Sequence, residues 1–195
     1  MSKVVVDLSM SLDGFIAHHD GRTDEVHAWY GSGNKPIKMP NSDLTFTVDP
    51  ASEEVVREGF ELGANVTGRR TFEDANAWGG QDPLGIPSFI VTHEVPEAWQ
   101  GADGPFVFVT EGTESAITQA KAAAGGKDVG VAEADIAQQC LKLGLLDEIR
   151  LHLTPVLLGD GIRLFDNLEG TPVELERIRL VEAPGVTHLW FRVVK

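Results

Sequence analysis

Short apolar runs and segments with helical spacing alternate from one end of the chain to the other. That pattern argues for strands and helices laid into one α/β sheet rather than for separate helical and β regions. Val4 to Met10 reads as a first strand, ended by the turn pair Asp13-Gly14 ahead of Phe15-Ile16-Ala17 and the polar His18-His19-Asp20-Gly21. Trp29 to Asp49 is rich in Gly, Pro, Asn and Lys and predicts a long irregular loop, either a functional lid or a disordered insert. Asp49-Pro50 predicts an N-cap with proline at the first helical position and Glu53 and Glu54 in the favourable first turn of a helix through Leu62.

Ala64 to Thr67 predicts a short strand that turns at Gly68 into a helix from Thr71 to Trp78. Pro87 to Thr92 and Phe106 to Val109 read as buried strands, Thr113 to Ala124 as an alanine-rich helix and Val129 to Ala132 as a further strand. Asp135 with Gln138 predicts a capping box for a helix ending near Gly144. Glu148 to Val156 sets Ile149, Leu151 and Leu153 against Arg150, His152 and Thr154, a strand with one buried face, which makes His152 a surface or interface residue. After Gly159-Asp160-Gly161 and Leu164-Phe165 comes a polar connection. Val186 to Val194 then closes the pattern with Leu189, Phe191 and Val193 on one face and Trp190 on the other. Apolarity on both faces of that last strand calls for a cover on each, which points to a homodimer through the C-terminal strands.

Length and composition narrow the class. At 195 residues the chain suits a single domain, 1–195, and a domain of that size buries roughly 70% of its unfolded surface. No apolar run approaches the length needed to cross a bilayer, and Asp7 interrupts the start of the chain where a secretory signal would stay apolar. The expectation is a cytoplasmic protein with no membrane partner. Cys140 is the single cysteine, spaced from Ile136 and Leu143 as a buried thiol would be, so neither a disulfide nor a cysteine metal site is expected. The formal net charge of −14 repels nucleic acid and anionic membranes alike, so any anionic ligand needs a local cationic pocket.

Gly68-Arg69-Arg70-Thr71-Phe72-Glu73 offers one: a strand running into a helix start through a glycine, two guanidiniums and a hydroxyl. Taken alone, the segment reads equally well as a helix start with two solvated arginines. His18 and His19 lack a third ligand at metal spacing and read as a solvated loop. Asp147 and Glu148 are neighbours on a strand, so they face opposite ways and share no substrate. Trp29, Tyr30 and Trp78 flank the expected cleft, where stacking on a planar heterocycle competes evenly with local packing.

Taken together, Ser11-Leu12-Asp13-Gly14-Phe15-Ile16-Ala17, Gly68 to Glu73, Ile90-Val91-Thr92-His93, Gly144 to Ile149 and Pro155 to Gly161 resemble the dihydrofolate-reductase-like superfamily. Within it they are most similar to the reductase domain of riboflavin biosynthesis. The resemblance covers nearly the whole chain in order. It implies a three-layer fold, with a twisted, mainly parallel central sheet flanked by helices and NADPH across the carboxyl ends of its strands. By the same resemblance, Gly14, Ile16 and Ala17 belong to a mobile loop over nicotinamide. Gly68, Arg69, Arg70 and Thr71 grip the pyrophosphate and 2′-phosphate, and Thr92 and His93 make a second 2′-phosphate contact. Ala132, Glu133, Ala134 and Asp135 occupy the family's Gly-Gly loop. The sequence departs there: a glutamate stands where backbone amides meet the pyrophosphate. A carboxylate about 5 Å from a phosphate costs roughly 3 kcal/mol at an effective dielectric near 20.

The function implied is hydride transfer from NADPH to a pterin-like or pyrimidine-like heterocycle, or to its ring-opened sugar adduct, at a CH–NH or C=N group. Asp13, Asp49 and Glu53 are the acids nearest the cleft by topology for the accompanying proton. No deaminase zinc motif is recognisable, so the bifunctional riboflavin enzyme is not expected. The competing class is a binding protein on the same fold whose phosphate loop has changed at Glu133.

Overall fold

The computed structural model describes residues 2–101, 104–170 and 172–195. In chain order the strands are β1 (Val4–Ser11), β2 (Phe15–Ala17), β3 (Lys35–Lys38), β4 (Thr45–Val48), β5 (Ala64–Gly68), β6 (Ser88–Val91), β7 (Phe106–Val109), β8 (Val129–Val131), β9 (Glu148–Thr154), β10 (Ile162–Arg163), β11 (Leu175–Ala183) and β12 (Val186–Val193). The helices are α1 (Asp24–His27), α2 (Glu53–Gly59), α3 (Arg69–Asp74), α4 (Thr113–Ala123) and α5 (Ala134–Lys142).

The run Val4-Val5-Val6, buried throughout, sets β1 near the middle of an eight-stranded sheet of order β11-β12-β9-β1-β8-β5-β6-β7. Pairing is parallel from β9 through β7, and β12 and β11 add an antiparallel edge. Alternation along the strands divides the chemistry between the two faces. Val4, Val6, Leu8 and Met10 of β1, with Ile149 and Leu151 of β9, join the main core, which α4 and α5 cover through Ala116, Ile117, Ala120, Ile136, Ala137 and Cys140. Asp7, Ser9, Arg150, His152 and His188 hold the alternate positions, and a second cluster built from Trp29, Ile37, Val48 and Val56 supplies apolar packing on α2 and the β3–β4 hairpin. Burial pushes the Cys140 thiol up to about 12, as an inert packed side chain requires.

Several elements differ from the sequence expectation. Trp29 to Asp49 is not irregular throughout: β3 and β4 pair as a hairpin, with Ile37 and Val48 buried between exposed Lys and Thr positions that dilute the strand signal. The helix expected through Leu62 begins as a 3₁₀ turn capped by Asp49, whose Oδ1 accepts from Ala51 N at 2.9 Å, and stops at Gly59. The helix expected from Thr71 to Trp78 starts earlier and ends at Asp74. Asn76, Ala77 and Trp78 follow with φ of 47°, 50° and 47°, a left-handed run that costs roughly 1–2 kcal/mol per residue.

The capping box at Asp135 and Gln138 does not form. Glu133 is the N-cap residue of α5 without bonding it, Asp135 accepts from Gln139, and Gln138 donates to the carbonyls of Arg163 and Leu164. The polar connection after Phe165 contains β11, a charged edge strand of the kind that resists pairing with other chains. Strand β9 is covered on both faces, so His152 is buried and not a surface residue. Trp190 is buried too, with the Arg179 guanidinium 4.4 Å above its ring, which leaves Leu175, Ile178 and Leu180 as the exposed apolar residues of β11. No helix among the described residues is long and apolar enough to cross a membrane.

Candidate active site

Where β1, β5, β8 and β9 present their polar face, a cavity of 250 Å³ lies between the sheet and the α2 side of the molecule. Asp7, Asn65, Gly130 and His152 line it from the strands, and Tyr30, Phe46, Phe60 and Trp78 supply aromatic walls. Gly130 keeps this floor low, because a Cβ there would run into Leu62 and Asn65. Tyr30 stacks on Phe46 with ring centroids 4.3 Å apart, and the left-handed turn at residues 76–78 brings Trp78 to the rim. A flat, largely apolar ligand with a few N–H donors matches such walls and such a floor.

The polar part of the floor is a buried hydrogen-bonded set. His152 Nε2 lies 2.8 Å from Asp7 Oδ1, His152 Nδ1 lies 2.8 Å from His188 Nδ1, and His188 Nε2 lies 2.9 Å from Ser52 Oγ. Trp29 packs against both imidazoles and donates from its indole N–H to Ser9 Oγ at 2.9 Å. Burial, aided by the neighbouring His152, pushes His188 down to about 3, so that ring is neutral. Burial acts to raise Asp7, but His152 and Arg150 outweigh it and hold the carboxyl below its ordinary value.

A second feature adjoins the cavity at the carboxyl ends of β5 and β8, which pair through Val66 and Val131. Glu133 turns inward there. Its Oε2 accepts from the backbone N–H of Gly68 at 2.5 Å and lies 3.4 Å from Thr67 Oγ1. Only glycine permits this approach, since a Cβ on residue 68 would overlap the carboxylate. Burial raises the Glu133 carboxyl above its ordinary value, opposed by the Gly68 amide and the Thr71 hydroxyl. The arginines beside it are already paired with acids: Arg69 Nε lies 2.7 Å from Glu73 Oε1, and Arg70 Nε lies 3.6 Å from Asp74 Oδ2. Arg70 also donates to the carbonyl of His19 at 2.7 Å.

Known relatives share this fold. The family model of the RibD C-terminal domain matches residues 2–186. The chain belongs to that family. An uncharacterised Bacillus subtilis (strain 168) protein, YwjB, is 27% identical over 166 residues, which cover 85% of this chain and 84% of that one. A putative riboflavin biosynthesis protein from Shewanella sp. PV-4 has a TM-score of 0.73 at 23% identity, over 100% of both chains. The riboflavin biosynthesis reductase of Saccharomyces cerevisiae has a TM-score of 0.62 at 11% identity, over 99% of this chain and 90% of that one. The fold is therefore the dihydrofolate-reductase-like fold of the riboflavin-type reductase domains.

Within this RibD-type domain the anticipated residues fall into three groups. Tyr30 and Trp78 line the cavity, and so does Ala132, the residue before Glu133. Gly68, Thr71 and Glu133 meet at the anion seat, with Arg69 and Arg70 exposed beside it. The rest have local tasks. Trp29 is core and not a stacking platform. Asp13 is a brace and not a free acid: it accepts from Ser11 Oγ at 2.6 Å, Leu158 N at 3.2 Å and Gly159 N at 2.7 Å, and the Ser11 hydroxyl and these amides hold its carboxyl below its ordinary value. The loop containing Gly14, Ile16 and Ala17 is strapped down through β2–β10 pairing and through Leu164 N donating to Gly14 O.

Asp49 caps the turn before α2, and Glu53 accepts from Arg57, so neither lines the cavity. Thr92 is buried and donates to Glu94 O, His93 is exposed, Ala134 is buried in the first turn of α5, and Asp135 is exposed. Asp7, Asn65, Ser52 and His188 went unanticipated. The available signal was a lone Asp inside the apolar run of β1 and a histidine on each of two late strands. Among the described residues no group of three or more His, Cys, Asp or Glu is arranged to hold a metal ion.

Proposed function

We propose that this protein is a cytoplasmic NADPH-dependent reductase that transfers hydride to a pterin-like or pyrimidine-like heterocycle, or to its ring-opened sugar adduct, at a CH–NH or C=N group. The observation that carries the reading is the aromatic-walled cavity with Asp7 and Asn65 on its floor, reaching through Ala132 to the seat at Gly68. Membership of the RibD C-terminal domain family supports it. Glu133 itself tests the fit of the cofactor: its carboxylate sits on the Gly68 amide beside the Thr67 and Thr71 hydroxyls, so this donor set does accept an oxyanion. A dinucleotide phosphate fits there once Glu133 swings away.

Bound NADPH would supply the hydride. The chain's own residues would align and enclose the acceptor: Tyr30, Phe46 and Trp78 as walls, Asp7 and Asn65 as the polar contacts that fix its orientation. The test is NADPH oxidation in the presence of a panel of 5-aminouracil and dihydropterin compounds, with cofactor binding followed by nicotinamide fluorescence. Turnover with at least one heterocycle is expected, and a panel that leaves NADPH unoxidised removes the reading.

The second reading is a binding protein on the same fold, favoured by the 2.5 Å contact between Glu133 and Gly68 that fills the seat. It predicts no nicotinamide nucleotide binding by the wild type or by Glu133→Gly. We also propose a homodimer, now through packing of the exposed Leu175, Ile178 and Leu180 side chains of β11 and not through pairing of its charged edge. Sedimentation at micromolar concentration showing only a 21.1 kDa species would end that part of the proposal.

A further inference from the structure

Four side chains from four separate segments form an unbroken hydrogen-bonded chain beneath the cavity: Asp7 of β1, His152 of β9, His188 of β12 and Ser52 just before α2. Each link is 2.8–2.9 Å, short enough for a proton to pass. Ser52 and His188 are fully buried, and the Trp29 ring, 5.1 and 5.0 Å from the two imidazoles, closes them off. Asp7 and His152 line the cavity, so the chain opens at that end.

Two facing Nδ1 atoms need one proton between them, and this limits the states that the chain can hold. In the first state His188 carries it, both rings are neutral, the Ser52 hydroxyl donates to His188 Nε2, and His152 Nε2–H donates to Asp7. In the second, with one proton more, His152 is an imidazolium that donates to Asp7 and to His188 Nδ1, and His188 Nε2–H donates to a rotated Ser52 hydroxyl. No link is lost in the change, because a hydroxyl serves as donor or acceptor by rotation. A further proton would set two N–H donors and two positive rings face to face. Arg150 of β9, Arg179 of β11 and His27 of α1 oppose that extra charge, and Asp7 favours only the ring it touches, with Tyr30 as the remaining titratable neighbour.

We infer that Asp7, His152, His188 and Ser52 are a one-proton store that discharges through Asp7 onto a nitrogen of the heterocycle held in the cavity. The inference rests on the reductase reading for what that heterocycle is. On discharge the His152 Nε2–H bond breaks and Asp7 takes the proton, which leaves His152 neutral as the Nδ1–H tautomer, still donating to His188, with Nε2 open to accept the next proton from Asp7. The released proton then passes to the ligand nitrogen, where a new N–H bond forms, and Asp7 returns to a carboxylate. Water refilling the cavity recharges His152 by the same route. Asp7 is thus a catalytic residue, and His188 and Ser52 act through it as positioning residues.

Two measurements test the store without reading NADPH oxidation. In the first, ¹⁵N imidazole spectra between about pH 5 and 9, a range that spans ordinary histidine titration, should show both rings changing together in one step. Ser52→Ala, which touches neither Asp7 nor the cavity, should move that step, because it removes the hydroxyl that His188 Nε2 meets in both states. Rings that titrate independently, or a step that Ser52→Ala does not move, would overturn the store.

In the second, 2,4-diaminopyrimidine serves as the cavity probe, since its absorption differs between neutral and protonated forms. Bound to the wild type it should be protonated at a pH where the free base is neutral, to a lesser extent in Ser52→Ala, and not in Asp7→Asn. A bound base that stays neutral in the wild type, or one that fails to bind at millimolar concentration, would overturn the discharge. Absence of NADPH binding alongside a coupled step and a protonated probe would remove the reductase reading and leave the store standing.

Discussion

The cavity and the anion seat share one neighbourhood at the carboxyl ends of β5 and β8, and they treat polar groups in opposite ways. Around the cavity, the chain satisfies its buried polar groups among themselves, through Asp7, His152, His188 and Ser52, and leaves the space above them open. At the seat, the chain uses its own Glu133 to satisfy the Gly68 amide and closes the space. The cavity is therefore organised before any ligand arrives, whereas the seat must exchange one anion for another. Affinity at the seat is a difference between two anions competing for the same donors, and affinity at the cavity carries no such penalty.

The largest expected effect breaks the cavity side of this comparison with acid. His188 has an ordinary value near 6.5 in the unfolded chain and is held at about 3 in the fold. Because the folded value is depressed, the unfolded chain binds a proton that the fold refuses across this window. Its contribution to stability is complete above about pH 6.5 and is lost as pH falls toward 3, at up to about 1.4 kcal/mol per pH unit. Urea unfolding of the wild type from neutral to acidic pH should show this slope, and His188→Gln should lose about one proton's share of it. Equal slopes in the two proteins would mean that the buried pair is not refusing protons and that the cavity floor is not organised as described.

How much of this was legible in the sequence depends on how local the signal was. Gly68 and Glu133 each stand out in short motifs, so both were found, and the conflict between them was visible as a carboxylate in a phosphate loop. The orientation of Glu133 was not legible, since it depends on β5 and β8 being neighbours. The buried chain was invisible for the same reason carried further. Its bonded neighbours lie 36 to 145 positions apart, and the pairing of β1 with β9 and of β9 with β12 joins three of the four. Strict alternation on β9 argues for one exposed face and so for an exposed His152, whereas Trp29 and the segments packed with it cover that face and the main core covers the other. Topology alone puts Asp13 and Asp49 near the cleft, but side chains of that type most often bond nearby backbone in turns and caps, and both do so here.

A smaller effect sharpens the seat side. Removing the resident anion in Glu133→Gly frees the Gly68 amide and the two hydroxyls for a phosphate, and also removes like-charge repulsion. NADPH affinity, read by nicotinamide fluorescence, should rise by at least about tenfold, or roughly 1.4 kcal/mol, below the unscreened estimate for a carboxylate beside a phosphate. The same substitution should leave binding of 2,4-diaminopyrimidine unchanged, since Glu133 does not line the cavity. Tight NADPH binding by the wild type with no gain on substitution would show that Glu133 leaves the seat without cost, and the contrast between the two regions would lose its energetic content.

The smallest effect concerns Arg69 and Arg70, because neither cation is free to begin with. Arg69 is committed to Glu73 and Arg70 to Asp74 and the carbonyl of His19, and all four side chains are substantially exposed. A 2′-phosphate must compete with those partners for each guanidinium, so each arginine contributes only the surplus of a phosphate contact over an exposed ion pair. Exposed pairs are worth about 0.2–1 kcal/mol, which sets the scale of each arginine's contribution at no more than about fivefold. Arg69→Ala with Arg70→Ala should therefore weaken NADPH more than NADH, by a few fold in the ratio of the two dissociation constants. The preference should be steeper at low salt, where exposed charges are less screened. Placing the same double substitution on a Glu133→Gly background raises the signal, since the vacated seat lets the phosphates approach the helix start more closely. Equal losses for NADPH and NADH on that background would show that the arginines only brace α3 through Glu73 and Asp74.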